Sequence, residues 1–195
     1  ERIAVNLGGG FHHAFPDHGE GFCLVHDVAV AIRRMQKERK IAKAWVVDCD
    51  VHQGNGTAAI FKNDSEVFTL SLHQFNNYPT WKPASSLDID LADGMEDAEY
   101  LTKLKEGLAA SLARFKPDML FYIAGADPYK EDQLGGLSLT LEGLVKRDRL
   151  VLEAARERKI PPALGLGVAV PHARCPNLAR PLVVFGRSAE GVVFD

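Results

Sequence analysis

With 195 residues, of which 46% are apolar and 25% charged, the chain is long enough for one globular domain with a sizeable core. A net charge of −3 gives no basic surface for direct binding to nucleic acid and only weakly favours basic partners such as lysine-rich peptides. No apolar run approaches the roughly 20 residues that cross a bilayer, which argues against a membrane protein.

The chain begins without Met or a signal-peptide pattern and runs directly into the apolar residues 3–7. We therefore expect it to be part of a longer protein. The three cysteines, Cys23, Cys49 and Cys175, are odd in number and lack metal-type spacing. Reduced thiols in the cytoplasm, or in the nucleus of a eukaryotic cell, are the simplest interpretation.

Short apolar runs alternate with longer amphipathic stretches along the chain. We predict strands over residues 3–7, 44–49, 67–72, 119–125 and 162–168, and helices over residues 21–38, 96–114 and 141–158. Residues 73–95 predict a long irregular connection, of the kind that often carries function. The alternation predicts an α/β fold with a mainly parallel sheet covered by helices on both sides. The absence of a repeat or linker favours a single domain over residues 1–195.

Residues that bind metals or transfer protons follow four consecutive predicted strands. Because ligands bind at the carboxyl ends of parallel strands, we expect these side chains to meet at one edge of the sheet. The residues are His12 and His13, then Asp48, Asp50 and His52, then His73, and finally Asp127. This convergence is the main evidence for a catalytic site.

Asp50 and His52 are two residues apart, so an extended backbone would point both side chains to the same side. Together with Asp127 they would form a three-ligand zinc site with an open position for water. Alternatively, Asp48 and Asp50 are turn formers and His52 is a surface histidine. Asp127 before Pro128 could equally form an ordinary turn.

His12 and His13 follow three glycines, Gly8 to Gly10, which allow the backbone to turn tightly and to approach a ligand closely. Either imidazole is suited to act as a general base or acid near neutral pH. Adjacent histidines also occur without any function, so the pair alone does not identify a site.

Several segments, taken in chain order, form one specific pattern. They are Gly9-Gly10-Phe11-His12-His13-Ala14, Gly19-Glu20-Gly21-Phe22-Cys23, Asp48-Cys49-Asp50-Val51-His52-Gln53-Gly54-Asn55-Gly56, Ser71-Leu72-His73, and Ala124-Gly125-Ala126-Asp127-Pro128-Tyr129 through Asp132-Gln133-Leu134-Gly135-Gly136-Leu137. Over residues 1–166 the pattern resembles the zinc-dependent histone deacetylase family. Gln53 and Asn55 are most similar to the class IV branch and its bacterial amidohydrolase relatives, because the class I branch usually has His and Asp there.

The resemblance implies the arginase–deacetylase fold, a three-layer arrangement of helices, sheet and helices. It also implies Zn²⁺ held by Asp50, His52 and Asp127. His13 would be the general base for the attacking water, with His12 beside it as an electrostatic or acid partner.

By the same resemblance, Asp48 would orient His12 and Asn55 would contact His13, which fixes the tautomer and direction of each ring. Asn55 is neutral, so it does not stabilise an imidazolium as an aspartate would. A structural potassium ion is also implied, bound largely through backbone oxygens. Its site would comprise Asp48, Asp50, His52, Ser71 and Leu72.

For the substrate, the resemblance implies a narrow apolar tunnel that matches the methylene stem of lysine. Gly21 and Phe22 would form one wall, Leu134 another, and Tyr78 would be the aromatic residue of the adjoining loop. The alternative for these residues is ordinary packing in the core.

The sequence departs from the family pattern in two places. The family sequence that precedes the first glycine–histidine segment, including a loop that holds the substrate backbone, is absent. After residue 167 there is also no Gly-Gly-Tyr turn, whose tyrosine stabilises the oxyanion and whose loss would cost about 10²–10³ in kcat. Residues 168–195 no longer resemble the family, through either a reading-frame slip or true divergence.

Three functions fit these observations. The first is zinc-dependent hydrolysis of acetyl or longer acyl groups from lysine in proteins or peptides, with a role in chromatin regulation if histones are the substrate. The second is deacetylation of small acylated amines such as acetylpolyamines. The third is a zinc-binding pseudoenzyme or binding module without turnover. A manganese ureohydrolase of the same fold is disfavoured, because the segment 48–52 lacks that family's paired-metal pattern.

Overall fold

The computed structural model describes residues 4–167, without the side chains of Leu7 and of residues 163–167. This part of the chain forms six strands and four helices. In chain order they are β1 (Ala4–Gly9), α1 (Asp27–Lys37), β2 (Ala44–Asp48), α2 (Asn55–Ile60), β3 (Val67–Gln74), β4 (Leu87–Leu91), α3 (Asp97–Arg114), β5 (Met119–Ile123), α4 (Leu141–Glu157) and β6 (Pro162–Gly167).

The six strands form one sheet in the order β1-β6-β5-β2-β3-β4, and every neighbouring pair is parallel. Alternate side chains of β2 enter two separate apolar clusters: Trp45 and Val47 pack on one face of the sheet, and Ala44 and Val46 on the other. Both faces are therefore covered, which explains why this strand is apolar at consecutive positions. The predicted α/β fold with a parallel sheet is confirmed.

Helices cover the two faces through their apolar sides. On one face α1 buries Val28, Ala29 and Ile32. On the other face α3 and α4 bury their own apolar side chains, among them Leu104 and Val151. Each fully buried aliphatic side chain contributes about 1.5–3 kcal/mol, so these contacts hold the helices against the sheet.

The first predicted helix, over residues 21–38, is wrong in its first six residues. Gly21 and Phe22 have positive φ angles of 52° and 64°, which a right-handed helix does not allow. They form a tight turn in which Glu20 and Cys23 exchange both backbone hydrogen bonds, at 3.0 and 2.8 Å. The helix begins only after His26, whose side chain accepts from the backbone N–H of Ala29.

Two elements were not predicted. Helix α2 has only six residues, Asn55–Ile60, which is too short for a helical repeat to be visible. Strand β4, Leu87–Leu91, lies inside the segment 73–95 that was expected to be irregular. Its sequence Leu-Asp-Ile-Asp-Leu alternates in the way that predicts an edge strand, so the signal was present. Strand β3 also extends two residues beyond its predicted end at 72.

Several predictions lie outside the described residues. They are the start of the first strand at Ile3, the end of the last strand at Val168, Cys175, and the divergent segment 168–195. The single-domain prediction over 1–195 therefore stays a prediction. Within 4–167, Cys23 and Cys49 are buried free thiols. None of the helices in this range is long and apolar enough to cross a membrane.

Candidate metal centre

The topology brings the predicted site residues to one edge of the sheet. His12 and His13 follow β1, Asp50 and His52 follow β2, and Asp127 follows β5. Because these strands are parallel, their carboxyl ends point the same way. β2 and β5 are direct neighbours, so the loops after them meet without any intervening strand.

Asp50, His52 and Asp127 form a compact group in which one ligand atom from each lies within 4.8 Å of the others. Nδ1 of His52 is 3.0 Å from Oδ1 of Asp50 and 3.0 Å from Oδ2 of Asp127. The second oxygen of Asp127 accepts a hydrogen bond of 2.9 Å from the backbone N–H of Val51. This bond fixes the carboxylate and leaves Oδ2 directed at the other two ligands.

The proximity of Asp50 and His52 has a different origin from the predicted one. The backbone at 50–52 bends and is not extended. Oδ1 of Asp50 accepts from the backbone N–H of His52 at 2.9 Å, a turn typical of aspartate. Gly125 allows the loop after β5 to approach, because a Cβ there would lie 2.6 Å from Cα of Asp50.

The electrostatics of this group favour a divalent cation. Burial and the negative charge of Asp50 raise the pKa of Asp127 to about 6. Burial alone would lower the pKa of His52, but hydrogen bonds to Asp127 and Asp50 raise it to about 10. The carboxylates of Asp50 and Asp127 thus favour a positive charge at His52, which a bound cation would supply in place of the ring proton. Three nitrogen and oxygen ligands are a usual donor set for catalytic zinc.

His12 is held against the carboxylate at the end of β2. Its Nδ1 lies 2.6 Å from Oδ2 of Asp48, and its Nε2 lies 3.7 Å from Oδ1 of Asp50. Burial would lower the pKa of His12, but the charges of Asp48 and Asp50 raise it to about 9. The predicted contact between Asp48 and His12 is present, and the neighbouring carboxylates favour the protonated ring.

His13 has a neutral partner instead. Its Nδ1 lies 2.7 Å from Oδ1 of Asn55, the contact expected from the sequence. The rings of His12 and His13 are 4.0 Å apart between centroids. Burial and the charge of His12 lower the pKa of His13 to about 3. The two adjacent histidines therefore differ in charge because their partners differ.

Glu20 is a site residue that sequence reasoning missed. Its Oε1 accepts from Nδ2 of Asn55 at 2.7 Å and from the hydroxyl of Tyr78 at 2.5 Å. Glu20 lay inside a matching segment, but a carboxylate in a turn carries no pattern of its own. Only the fold places it beside Asn55.

The predicted substrate-binding residues differ in how closely they approach the histidines. A Cβ on Gly21 would lie 2.4 Å from Cδ2 of His13, so the turn packs directly on that ring. The ring of Tyr78 lies 5.0 Å from that of His13 and 6.2 Å from that of His52. Both Gly21 and Tyr78 thus adjoin the site.

The other two predicted wall residues are on the surface. Phe22 is 93% exposed and Leu134 is 42% exposed. The carbonyl of Leu134 accepts from Nδ2 of Asn77 at 2.8 Å, which joins its loop to the loop of Tyr78. Exposure argues against ordinary core packing for both, and their contact with a substrate stays a prediction.

The residues of the predicted potassium site lie together at the ends of β2 and β3. Asp48 is the register partner of Ser71, and Leu72 follows it within β3. The hydroxyl of Ser71 is buried and lies 3.0 Å from Nδ1 of His73. Asp50 and His52 contribute their side chains to the three-ligand group, so only their backbone oxygens would serve a second ion. Potassium binding stays a prediction.

The histone deacetylase domain matches residues 1–167 of this sequence. The chain belongs to the histone deacetylase family. The predicted family and the arginase–deacetylase fold are confirmed, while similarity to the class IV branch stays a prediction.

Two relatives match more than four fifths of this chain. An uncharacterized protein of Picosynechococcus sp. is 44% identical over 165 residues, which cover 85% of this chain and 55% of that protein. Histone deacetylase 2 of Arabidopsis thaliana is 34% identical over 161 residues, which cover 81% of this chain and 42% of the relative. The chain thus spans about half the length of these relatives.

Solved structures of histone deacetylase homologues have the same fold. The structure of a homologue complexed with SAHA matches with a TM-score of 0.76 and 28% identity, over 86% of this chain and 48% of the other. A homologue from Aquifex aeolicus matches with a TM-score of 0.73 and 27% identity, over 83% of this chain and 46% of the other.

Proposed function

We propose that the protein hydrolyses the amide bond of acylated lysine with a zinc ion held by Asp50, His52 and Asp127. One observation carries the proposal: the three ligand atoms lie within 4.8 Å of one another beside a buried pair of histidines, in a chain of the histone deacetylase family. When bound, Zn²⁺ would supply a Lewis acid for the amide carbonyl.

His13 would take the proton from the attacking water. Its Nδ1 is engaged with Oδ1 of Asn55, an oxygen that can only accept, so Nδ1 carries the ring proton. The lone pair is then on Nε2, which makes this nitrogen the proton acceptor. A histidine whose tautomer is fixed in this way acts as a general base without first having to rearrange.

His12 would serve as the positively charged partner. The buried carboxylate of Asp48 holds its Nδ1 at 2.6 Å, so the ring direction is fixed. A fixed cation next to the reacting carbonyl stabilises the negative charge that develops on the oxygen. The same ring is a proton donor for the leaving amine.

The substrate stem would run past Tyr78 and Gly21. The aromatic ring of Tyr78 supplies an apolar surface next to His13, and the turn at Gly21 packs directly on the same histidine ring. An uncharged methylene chain fits such a passage better than a polar one, which favours acylated lysine as substrate. The acceptance of small acylated amines is tested by the same assay.

The experiment combines zinc analysis with hydrolysis of acetyl-lysine peptide, long-chain acyl-lysine peptide and acetylpolyamine. We expect close to one zinc per folded chain and slow turnover of a lysine peptide, because the sequence lacks the oxyanion tyrosine. His13→Ala should retain zinc and lose the turnover. Zinc binding without turnover of any of the three substrates would support the pseudoenzyme hypothesis instead. Faster hydrolysis of acetylpolyamine than of the lysine peptides would show that small acylated amines are the preferred substrates.

A further inference from the structure

A chain of hydrogen bonds extends outward from His13 toward the surface. Nδ1 of His13 contacts Oδ1 of Asn55 at 2.7 Å, and Nδ2 of Asn55 donates to Oε1 of Glu20 at 2.7 Å. The hydroxyl of Tyr78 donates to the same oxygen of Glu20 at 2.5 Å. Glu20 therefore joins the residue behind the general base to the aromatic residue beside it.

The donors and acceptors in this series of hydrogen bonds allow only one orientation of the Asn55 amide. An ionised carboxylate accepts hydrogen bonds and donates none, so the amide nitrogen of Asn55 must face Glu20. The amide oxygen then faces His13, and it also accepts from the backbone N–H of Gly56 at 3.1 Å. His13 must in turn place its proton on Nδ1. The reversed amide would put two acceptors against each other at Glu20.

Glu20 is ionised and held in place by its surroundings. The hydrogen bond from Tyr78 lowers the pKa of its carboxyl, burial opposes this, and the bond from Asn55 lowers it further. The backbone of Glu20 is fixed by the paired hydrogen bonds with Cys23. The turn between them packs against His13 at Gly21, so the carboxylate and the ring keep one relative position.

We propose that Glu20 is a positioning residue, which fixes the amide of Asn55 and through it the reactive tautomer of His13. This inference rests on the proposed function, because it assigns Glu20 a part in that reaction. Asn55, the direct partner of His13, is buried and neutral. The negative charge lies on Glu20, which contacts the other end of the Asn55 amide. The same carboxylate orients the hydroxyl of Tyr78, so the substrate passage and the base are held by one group.

The test compares Glu20→Ala with Glu20→Gln. The alanine variant leaves Nδ2 of Asn55 without its acceptor, so the amide can rotate and the tautomers of His13 can mix. We expect a fall of about 10-fold or more in kcat, as when other hydrogen-bond partners behind a catalytic group are removed. Glutamine can turn its amide oxygen toward Asn55 and should retain most of the activity. Zinc content and melting temperature should stay close to wild type in both.

A charge exchange gives a sharper test. Asn55→Asp places two carboxylates within hydrogen-bond distance, so it should lower kcat. The double variant Glu20→Gln with Asn55→Asp should recover kcat, because the glutamine amide can donate to the new carboxylate.

Tyr78→Phe separates the two roles of Glu20, since it should change KM while leaving the tautomer of His13 intact. Glu142→Ala, which removes an exposed carboxylate paired with Lys146 on its own helix, is the matched control and should behave as wild type.

A second readout does not depend on turnover. The ¹⁵N chemical shifts of labelled histidine report which ring nitrogen of His13 is protonated. We expect one tautomer in the wild type and in Glu20→Gln, and a mixture in Glu20→Ala. A single unchanged tautomer in Glu20→Ala, or failure of Glu20→Gln to rescue Asn55→Asp, would overturn the inference. If no substrate is hydrolysed but the tautomer responds to Glu20→Ala, the proposed function fails and the positioning role stands.

Discussion

Gly21 combines an unusual backbone conformation with a close approach to His13. Its φ of 52° lies in the left-handed region, and a Cβ would lie 2.4 Å from Cδ2 of His13. The absence of a side chain thus serves two purposes at once. It permits the turn, and it lets the turn lie directly on the ring of His13, the proposed general base.

We therefore predict that Gly21→Ala impairs both stability and activity. The left-handed conformation alone should cost about 1–2 kcal/mol in the free energy of unfolding, and the displaced His13 should reduce kcat. Gly94→Ala is the matched control, because Gly94 has a φ of 72° but a Cβ there would meet nothing within 4 Å. Urea denaturation should show that Gly94→Ala loses about as much stability as Gly21→Ala. Kinetic measurements should show that Gly94→Ala keeps full activity. Equal activity in both variants would contradict this account.

Helix α1 begins at a buried histidine that must stay neutral. Nδ1 of His26 accepts from the backbone N–H of Ala29 at 3.2 Å, and Nε2 lies 2.8 Å from Oγ1 of Thr57. Burial and the charge of His12 lower the pKa of His26 to about 4, although the charge of Asp27 opposes this. Protonation would place a hydrogen on Nδ1 of His26, so this nitrogen could no longer accept from Ala29. The helix would then lose its N-terminal cap.

The pH dependence of stability follows from this shift. The unfolded ring titrates near 6.5 and the folded ring near 4, so the unfolded state binds more protons between these values. The contribution of His26 is fully present above pH 6.5 and is lost as the pH falls toward 4, by at most about 3 kcal/mol. His26→Asn keeps a side chain that caps helices but does not titrate. Its free energy of unfolding, measured by urea denaturation, should fall less between pH 7 and pH 4 than that of the wild type, and parallel curves would refute the prediction.

Helix α4 starts with a cap that also joins it to α3. Oγ1 of Thr140 accepts from the backbone N–H of Gly143 at 2.9 Å and donates to Oδ2 of Asp97 at 2.6 Å. Thr140→Ala should destabilise the protein by about 1–2 kcal/mol. Thr102→Ala is the control, because Thr102 lies on the exposed side of α3 and bonds only within its own helix. Denaturant titration should show a clearly smaller loss in the control.

The elements differ in how far the sequence could predict them. Strands β2 and β5 are apolar at consecutive positions because both faces of the sheet are covered, so they were recognisable. The third long helix, predicted over 141–158 and observed over Leu141–Glu157, was recognisable because apolar residues such as Val151 and Ala155 recur on one side and are buried. Helix α2 was not predicted because six residues are too few to show a helical repeat. The start of α1 was misplaced because nothing in the local sequence indicates a positive φ at Phe22.

The site was predictable only in part. Asp50, His52 and Asp127 were recognisable because each follows a strand that the sequence predicts. Glu20 was not recognisable, because its place beside the site depends on a hydrogen bond with Asn55, 35 residues away. A hydrogen bond between two loops leaves no periodic trace in the sequence, and the fold alone brings the partners together.

Zinc should stabilise the whole fold, because its ligands come from two loops that the sheet holds together. Binding to the folded state alone contributes about 2.7 kcal/mol when free zinc is at 100 times its Kd. A chelator should therefore lower the melting temperature of the wild type in a calorimetric scan, and added Zn²⁺ should restore it. Asp127→Ala, which lacks one ligand, should melt at the same temperature with and without the chelator. An identical response of wild type and variant would argue against this site.

The order of strands in the sheet implies an order of assembly. β2 and β5, which are followed by Asp50, His52 and Asp127, are neighbours and are complete before α4 is made. β1, which leads into the histidines, is the first strand of the described chain, yet its sole neighbour in the described sheet is β6, the last of the described strands. A nascent polypeptide leaving the ribosome can thus bring Asp50, His52 and Asp127 together early. Strand β1, which leads into His12 and His13, joins the described sheet only when β6 arrives, so this edge of the sheet is completed late in synthesis.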